Sequence, residues 1–169
     1  MVVAILYNKF GGLQFDVNEL HADIVRKALP DADVHMVKTV AELEEQGIDP
    51  DILIAWTTGS HIFAEDAVEF CLKSKNLKWI HGLSAGVECI TYSKVCERAG
   101  LRLTNSKGIH GIPISEHVLG FMLYEARQLG RIKANQQVGK WERFIPNELN
   151  GHTLTILGMG AIASDVAKR

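Results

Sequence analysis

The chain has 169 residues, room for one ordinary domain and at most a fragment of a second. With 47% apolar residues, 22% charged residues and a formal net charge of −2, it is neither intrinsically disordered nor a basic surface for phosphate backbones, so nucleic acid is not an expected partner. Its longest apolar stretches, Met1–Tyr7 and Val118–Leu123, fall far short of the ~20 residues a bilayer span needs, and no charged segment precedes an apolar core at the start. No membrane association and no signal peptide are expected, and a cytoplasmic protein is the default.

Taken in chain order, short apolar runs alternate with segments of helical period. Val2–Tyr7 is a continuous apolar run, the mark of a strand covered on both faces. Leu20, Ile24, Val25 and Leu29 recur at helical spacing up to Pro30. Val34–Val37 reads as a second strand, followed by a short helix over 40–46 with Thr39 and Glu42 as a capping box. Asp51–Trp56 is a third strand, Ile62–Ser74 a helix, and Leu77–His81 a fourth strand. Glu88–Ala99 is expected to be one helix ending at Gly100, and Leu101–Thr104 a fifth strand. Five strands with four intervening helices predict an open, parallel, doubly wound α/β sheet.

The pattern changes at Asn105. The run 105–113 reads as a loop, and Pro113 suits a first helical turn. The helix after it is apolar around most of its circumference, ends at Gly130, and is expected to be buried between layers or domains. Arg131–Lys140 is a polar helix, and an irregular link runs through Trp141, Pro146 and Asn150.

Thr153–Leu157 then reads as a strand, and Gly158-Met159-Gly160-Ala161-Ile162-Ala163 opens a last helix. This is a G-x-G-x-x-G/A fingerprint in a strand–turn–helix setting. Gly158 suits the tight turn, Gly160 a close backbone approach to a pyrophosphate, and Ala163 close helix–strand packing. The amides of Ala161 and Ile162 would sit at the positive end of that helix. A plain glycine-rich turn has the same letters. The second candidate is Ser84-Ala85-Gly86-Val87-Glu88, between the fourth strand and the next helix. There small residues leave backbone N–H groups to meet a carboxylate, at the sheet edge where open α/β folds bind ligands. Thr57–Ser60, after the third strand, invites the same reading.

No metal site is supported, because His110 and His117 straddle a proline and the cysteines have no metal-ligand spacing. Neither histidine, nor His81, has an Asp placed by sequence to orient it, so none is taken as catalytic. Cys71, Cys89 and Cys96 read as reduced, buried thiols.

In order along the chain, LKWIHGLSAGVECI (77–90), TNSKGIHGIPISEHVLGFMLYEARQL (104–129), KW (140–141) and LNGHTLTILGMGAIASDVAKR (149–169) resemble the D-isomer-specific 2-hydroxyacid dehydrogenases, among them glyoxylate/hydroxypyruvate reductases and phosphoglycerate dehydrogenases. The resemblance implies a flavodoxin-like, doubly wound, parallel five-stranded substrate domain over 1–104. It implies an interdomain loop and long connecting helices over 105–150, and the first strand–helix unit of an NAD-binding Rossmann domain over 151–169. It further implies that Ala85 and Gly86 hold a substrate carboxylate, and that Gly158, Gly160, Ala161 and Ile162 hold the pyrophosphate of NAD or NADP. The substrate would be a small 2-oxo or 2-hydroxy acid, and a homodimer is compatible with the reading. The family's catalytic arginine, acid and histidine have no counterpart here, so the chain reads as a truncated, inactive N-terminal part. The competing expectation is a stand-alone flavodoxin-like module that binds small carboxylates. An unrelated flavodoxin or receiver is disfavoured, because Tyr7–Gly11 offers neither a phosphate loop nor an acidic cluster.

Overall fold

A computed structural model describes residues 1–7, 17–56, 65–91 and 94–169, which divide into two compact units, Met1–Lys107 and Gly108–Arg169. The first unit holds β1 (Val2–Leu6), α1 (Glu19–Ala28), β2 (Asp33–Val37), α2 (Val40–Glu45), β3 (Ile52–Ala55), α3 (Glu65–Lys73), β4 (Trp79–Gly82), α4 (Glu88–Thr91) and β5 (Arg102–Asn105). The strands form one sheet in the order β2-β1-β3-β4-β5, and every pairing is parallel. That order is the flavodoxin-like, doubly wound one.

The continuous apolar run of β1 is explained by its place inside the sheet. Successive side chains of a strand point to opposite faces. Ala4 and Leu6 pack into a core with Val40, Leu43, Phe70, Cys71, Ile90 and Val95, whereas Val3 and Ile5 pack into a second core with Ala22, Val25 and Leu29. Helices thus cover both faces. Of the apolar positions expected to line α1, Leu20 and Ile24 are exposed, and the small Ala22 is the buried one. The helix starts at Asn18, whose side chain accepts from Leu20 N (3.1 Å), while His21 Nδ1 accepts from Asn18 N (3.1 Å). Thr39 caps α2 as expected, but the Glu42 carboxylate accepts from Lys38 N, one residue before the expected partner.

Polar side chains clip the amino edge of the sheet. Asp51 accepts from Val2 N (2.8 Å) and pairs with Lys78 Nζ (2.8 Å), and the Lys78 ammonium chiefly holds its carboxyl below the usual range. Asp49 accepts from the Ser74 hydroxyl and from Lys75 N (3.0 Å), closing the end of α3.

Two expectations for this unit need correction. Residues 88–99 are not one helix: α4 stops at Thr91, and a separate 3-10 turn covers Lys94–Glu97. The Thr91 hydroxyl donates to Glu88 O, and the Cys96 thiol donates to Ile90 O. Gly100 does follow in the left-handed region, φ +79°. Cys71 is buried, but Cys89 is half-buried and Cys96 exposed, so the expected burial holds for one thiol of the three.

The second unit holds α5 (Gly111–Ala126), α6 (Leu129–Gln137) and α7 (Ala161–Lys168). Gly111 and Ser115 of α5 are buried together with Val166 of α7. A Cβ on Gly111 would run into the Asp165 carboxylate and lie 3.7 Å from Ala161 O, so glycine permits the close approach of the two helices. Here too the expectations need amending. α5 begins two residues before Pro113, and Phe121, Leu123 and Tyr124 on it are exposed rather than buried between layers. Gly130 does not end α5; the break is at Gln128, φ +51°, and Gly130 lies inside α6 against the Tyr124 hydroxyl. Thr153–Leu157 forms no strand, because a ladder needs a neighbour and residues 108–169 contain no strand to pair with it.

Candidate functional site

The carboxyl ends of β4 and β5 build the first candidate site. The two strands run in register, Gly82 beside Asn105, and both chains continue past the ladder. Ser106 N donates to Ser84 O (3.1 Å), and the Ser106 hydroxyl donates to Gly82 O (3.1 Å). The buried Ser84 hydroxyl donates to Gly86 O (2.8 Å), and the Asn105 side-chain amide donates to Ala85 O (2.6 Å). Ala85 is exposed, and Gly86 and Val87 are half-buried. The result is a turn of small residues at the carboxyl edge of the sheet, with the carbonyls of Ser84, Ala85 and Gly86 all accepting hydrogen bonds. Thr57–Ser60, Asn8–Gly11 and the start of the helix expected from Ile62 lie outside the described residues.

The second candidate is the turn into α7. Gly158 has φ +85°, a backbone that L side chains rarely adopt, so this position requires glycine. Gly160 is the N-cap of α7 in an extended conformation, and no side chain caps the helix there. A Cβ on Gly158 or on Gly160 would meet nothing within 4 Å. Ala161 and Ile162 form the first turn of α7, and both are exposed. The first N–H groups of a helix have no partner inside it and favour an anion.

Three of the described histidines have settings within their own units. His81 is hydrogen-bonded through Nδ1 to Thr104 Oγ1 (2.8 Å), the same hydroxyl that accepts from Trp79 Nε1 (2.8 Å). His117 packs edge-on against Phe121 with centroids 4.5 Å apart, and His110 at the start of α5 makes no capping bond. Burial pushes the Cys71 thiol up to about 12, so it is no nucleophile. Sequence reasoning found both turns but missed Asn105 and Ser106, whose contribution needs the β4–β5 register to be known.

Residues 119–169 match the family described as D-isomer specific 2-hydroxyacid dehydrogenase, NAD binding domain. The chain is 30% identical over 154 residues to the D-3-phosphoglycerate dehydrogenase of Methanocaldococcus jannaschii, covering 89% of this chain and 28% of that protein. It is 29% identical over 159 residues to the hydroxypyruvate reductase of Thermotoga maritima, covering 93% of this chain and 44% of the relative. Among solved structures, a D-isomer specific 2-hydroxyacid dehydrogenase family protein from Aeromonas salmonicida superposes with a TM-score of 0.78 at 26% identity, over 98% of this chain and 48% of that one. The chain therefore spans less than half the length of these relatives. With profile, relatives and fold in agreement, the chain belongs to the D-isomer-specific 2-hydroxyacid dehydrogenase family.

Proposed function

We propose that this chain supplies the substrate-holding sheet and the opening of the dinucleotide fold to an NAD(P)-dependent oxidoreductase that interconverts small 2-oxo acids and D-2-hydroxy acids. The observation that carries the reading is the turn from Gly158 to Ile162. A left-handed glycine, an uncapped helix start and open space at both glycines together fit a pyrophosphate. Gly158, Gly160, Ala161 and Ile162 would hold NAD or NADP there, and the cofactor when bound supplies the hydride chemistry.

The residues of the chain itself do the rest of the binding. Ala85 and Gly86 hold the substrate carboxylate through backbone N–H groups, which fix its position without a countercharge. In domain terms, 1–104 is the substrate domain, 105–150 the interdomain segment and 151–169 the start of the cofactor domain. The boundary between the two compact units, after Lys107, supports that division. The arginine, acid and proton-donating histidine that the resemblance implies find no match within residues 1–169. His81 and His117 are engaged with Thr104 and Phe121.

The test uses the complete protein that contains this chain, assayed for NADH and NADPH oxidation with glyoxylate, pyruvate and hydroxypyruvate. Turnover is expected with at least one of the three acids. Gly86→Val should raise KM for that acid by about 10-fold or more, as a blocked hydrogen bond to a charged group would. A polypeptide limited to residues 1–169 should show no turnover, since loss of general acid catalysis alone costs roughly 10²–10⁴-fold. Absence of turnover with all three acids in the complete protein, or an unchanged KM in Gly86→Val, would remove this reading.

A further inference from the structure

We infer that Asn105 is a positioning residue for the substrate-holding turn, fixing the direction in which the N–H groups of residues 85–87 point. The inference rests on the carboxylate-holding role proposed for Ala85 and Gly86. Its physical basis is the rigidity of the peptide unit. In a trans peptide the C=O of one residue and the N–H of the next point in opposite directions, and all the described bonds are trans. Fixing a carbonyl therefore aims the following N–H.

The turn displays the rule at its own base. Gly82 O accepts from the Ser106 hydroxyl on the β5 side, and Leu83 N, in the same peptide, donates to Ala55 O at the end of β3 (2.9 Å). Strands β3 and β5 lie on opposite sides of β4. Three successive peptides from Ser84 on repeat the device. Ser84 O accepts from Ser106 N, so the Ala85 N–H turns away from β5. Ala85 O accepts from Asn105 Nδ2, so the Gly86 N–H turns away from Asn105. Gly86 O accepts from the Ser84 hydroxyl, so the Val87 N–H turns away from that buried anchor. No described residue accepts from the N–H of Ala85 or of Val87.

Asn105 is the link that comes from a side chain of another strand, and the identity of the residue matters. Its Nδ2 must donate while its Oδ1 accepts from Lys107 N (3.4 Å). An amide can do both at once. A carboxylate can only accept, and would set an oxygen against the Ala85 carbonyl. Asn105→Asp thus keeps the shape and inverts the polarity of one contact.

The complete protein, labelled with ¹⁵N, tests this in two steps. Without ligand, Asn105→Asp should move the amide resonances of Ala85, Gly86 and Val87 and speed their exchange, while those of Val3–Ile5 in β1 stay put and report an intact fold. Asn105→Ala serves if the aspartate variant does not fold. With oxamate, a non-reacting 2-oxo acid analogue, the variant should bind about 3- to 10-fold more weakly, and KM for the 2-oxo acid should rise alike while KM for NADH stays within about twofold. Unmoved resonances at 85–87, or unchanged oxamate affinity, would overturn the inference. Failure of oxamate to shift these amides in the wild type would instead sink the carboxylate role itself, while the ligand-free comparison would still decide what Asn105 does.

Discussion

The two units of the chain bury their apolar residues very differently. Residues 1–107 close two cores, one on each face of the sheet, around Leu53 and Ile80 on one side and Val3 and Ile5 on the other. In residues 108–169 only Gly111, Ser115 and Val166 are buried, whereas Trp141, Ile145 and Leu157 are 91%, 94% and 95% exposed. The composition of the second unit is not that of a solvated surface. Its helix α5 is apolar around its circumference, and within the unit α6 and α7 pack along it. A parallel sheet with helices on both faces satisfies its own side chains; three helices without a sheet do not. The contrast explains why the family match at 119–169 concerns a cofactor domain and yet shows no sheet there.

The largest effect should come from matched truncations in the two units. Leu53 is fully buried in β3, and Leu53→Ala should cost about 2–5 kcal/mol through lost transfer energy and a cavity. Ile145→Ala, at an almost fully exposed residue, should stay within about 0.5 kcal/mol. Urea unfolding followed by circular dichroism measures both. A cost above about 2 kcal/mol for Ile145→Ala would mean that Ile145 is packed in a core rather than exposed.

Electrostatics provides the next test, because the second unit holds its irregular link by charge rather than burial. Glu142 pairs with Arg131 (2.6 Å) and Lys140 (3.2 Å), and accepts from Asn135 Nδ2 (2.9 Å). These partners, the Arg131 guanidinium first, pull its carboxyl down to about 2 from the ordinary 4.5. A depressed folded-state value means that the contribution is present above about 4.5 and is lost as pH falls toward 2. The link at 140–144 should therefore stay clasped to α6 at pH 4 and loosen near pH 2. The ¹³C resonance of the Glu142 carboxyl reports this directly. A midpoint near 4.5 would show that the clasp does not form, and Glu142→Gln should abolish the transition.

The same contrast governs how much could be read from sequence. The sheet was legible because each strand carries its own signal: β1 is apolar throughout, and breakers such as Asp49-Pro50 and Gly100 sit at the boundaries. The glycine turn at 158–162 was legible because backbone conformation and helix start are local properties. Three features were not, for reasons of distance. Thr153–Leu157 has strand composition, but being a strand depends on a neighbour. Within 88–99 the Cys96 thiol reaches back six residues to the Ile90 carbonyl, a bond that no helical period announces. Asn105 looks like a loop residue until register sets it beside Gly82, within reach of Ala85.

The smallest effect concerns where α5 ends. Glycine is the usual residue for a left-handed helix stop, and Gly130 was the natural choice two residues on. The structure uses Gln128 instead, at φ +51° and ψ +44°, while Gly130 continues into α6. Gly130 has a separate reason to lack a side chain: a Cβ there would come within 2.5 Å of the Tyr124 hydroxyl. The backbone at Gln128 bears a left-handed cost of about 1–2 kcal/mol for an L side chain. Gln128→Gly removes that cost, gives back part of it in unfolded-chain entropy, and loses an exposed 3.3 Å bond from Arg131. The net should be stabilisation of at most about 1 kcal/mol, seen as a small rise in Tm. Gln128→Val, β-branched at the same angles, should lower Tm instead. If the glycine variant were the less stable of the two, the break would be held by the Gln128 side chain rather than by backbone geometry, and α5 would owe its end to a contact rather than to a turn.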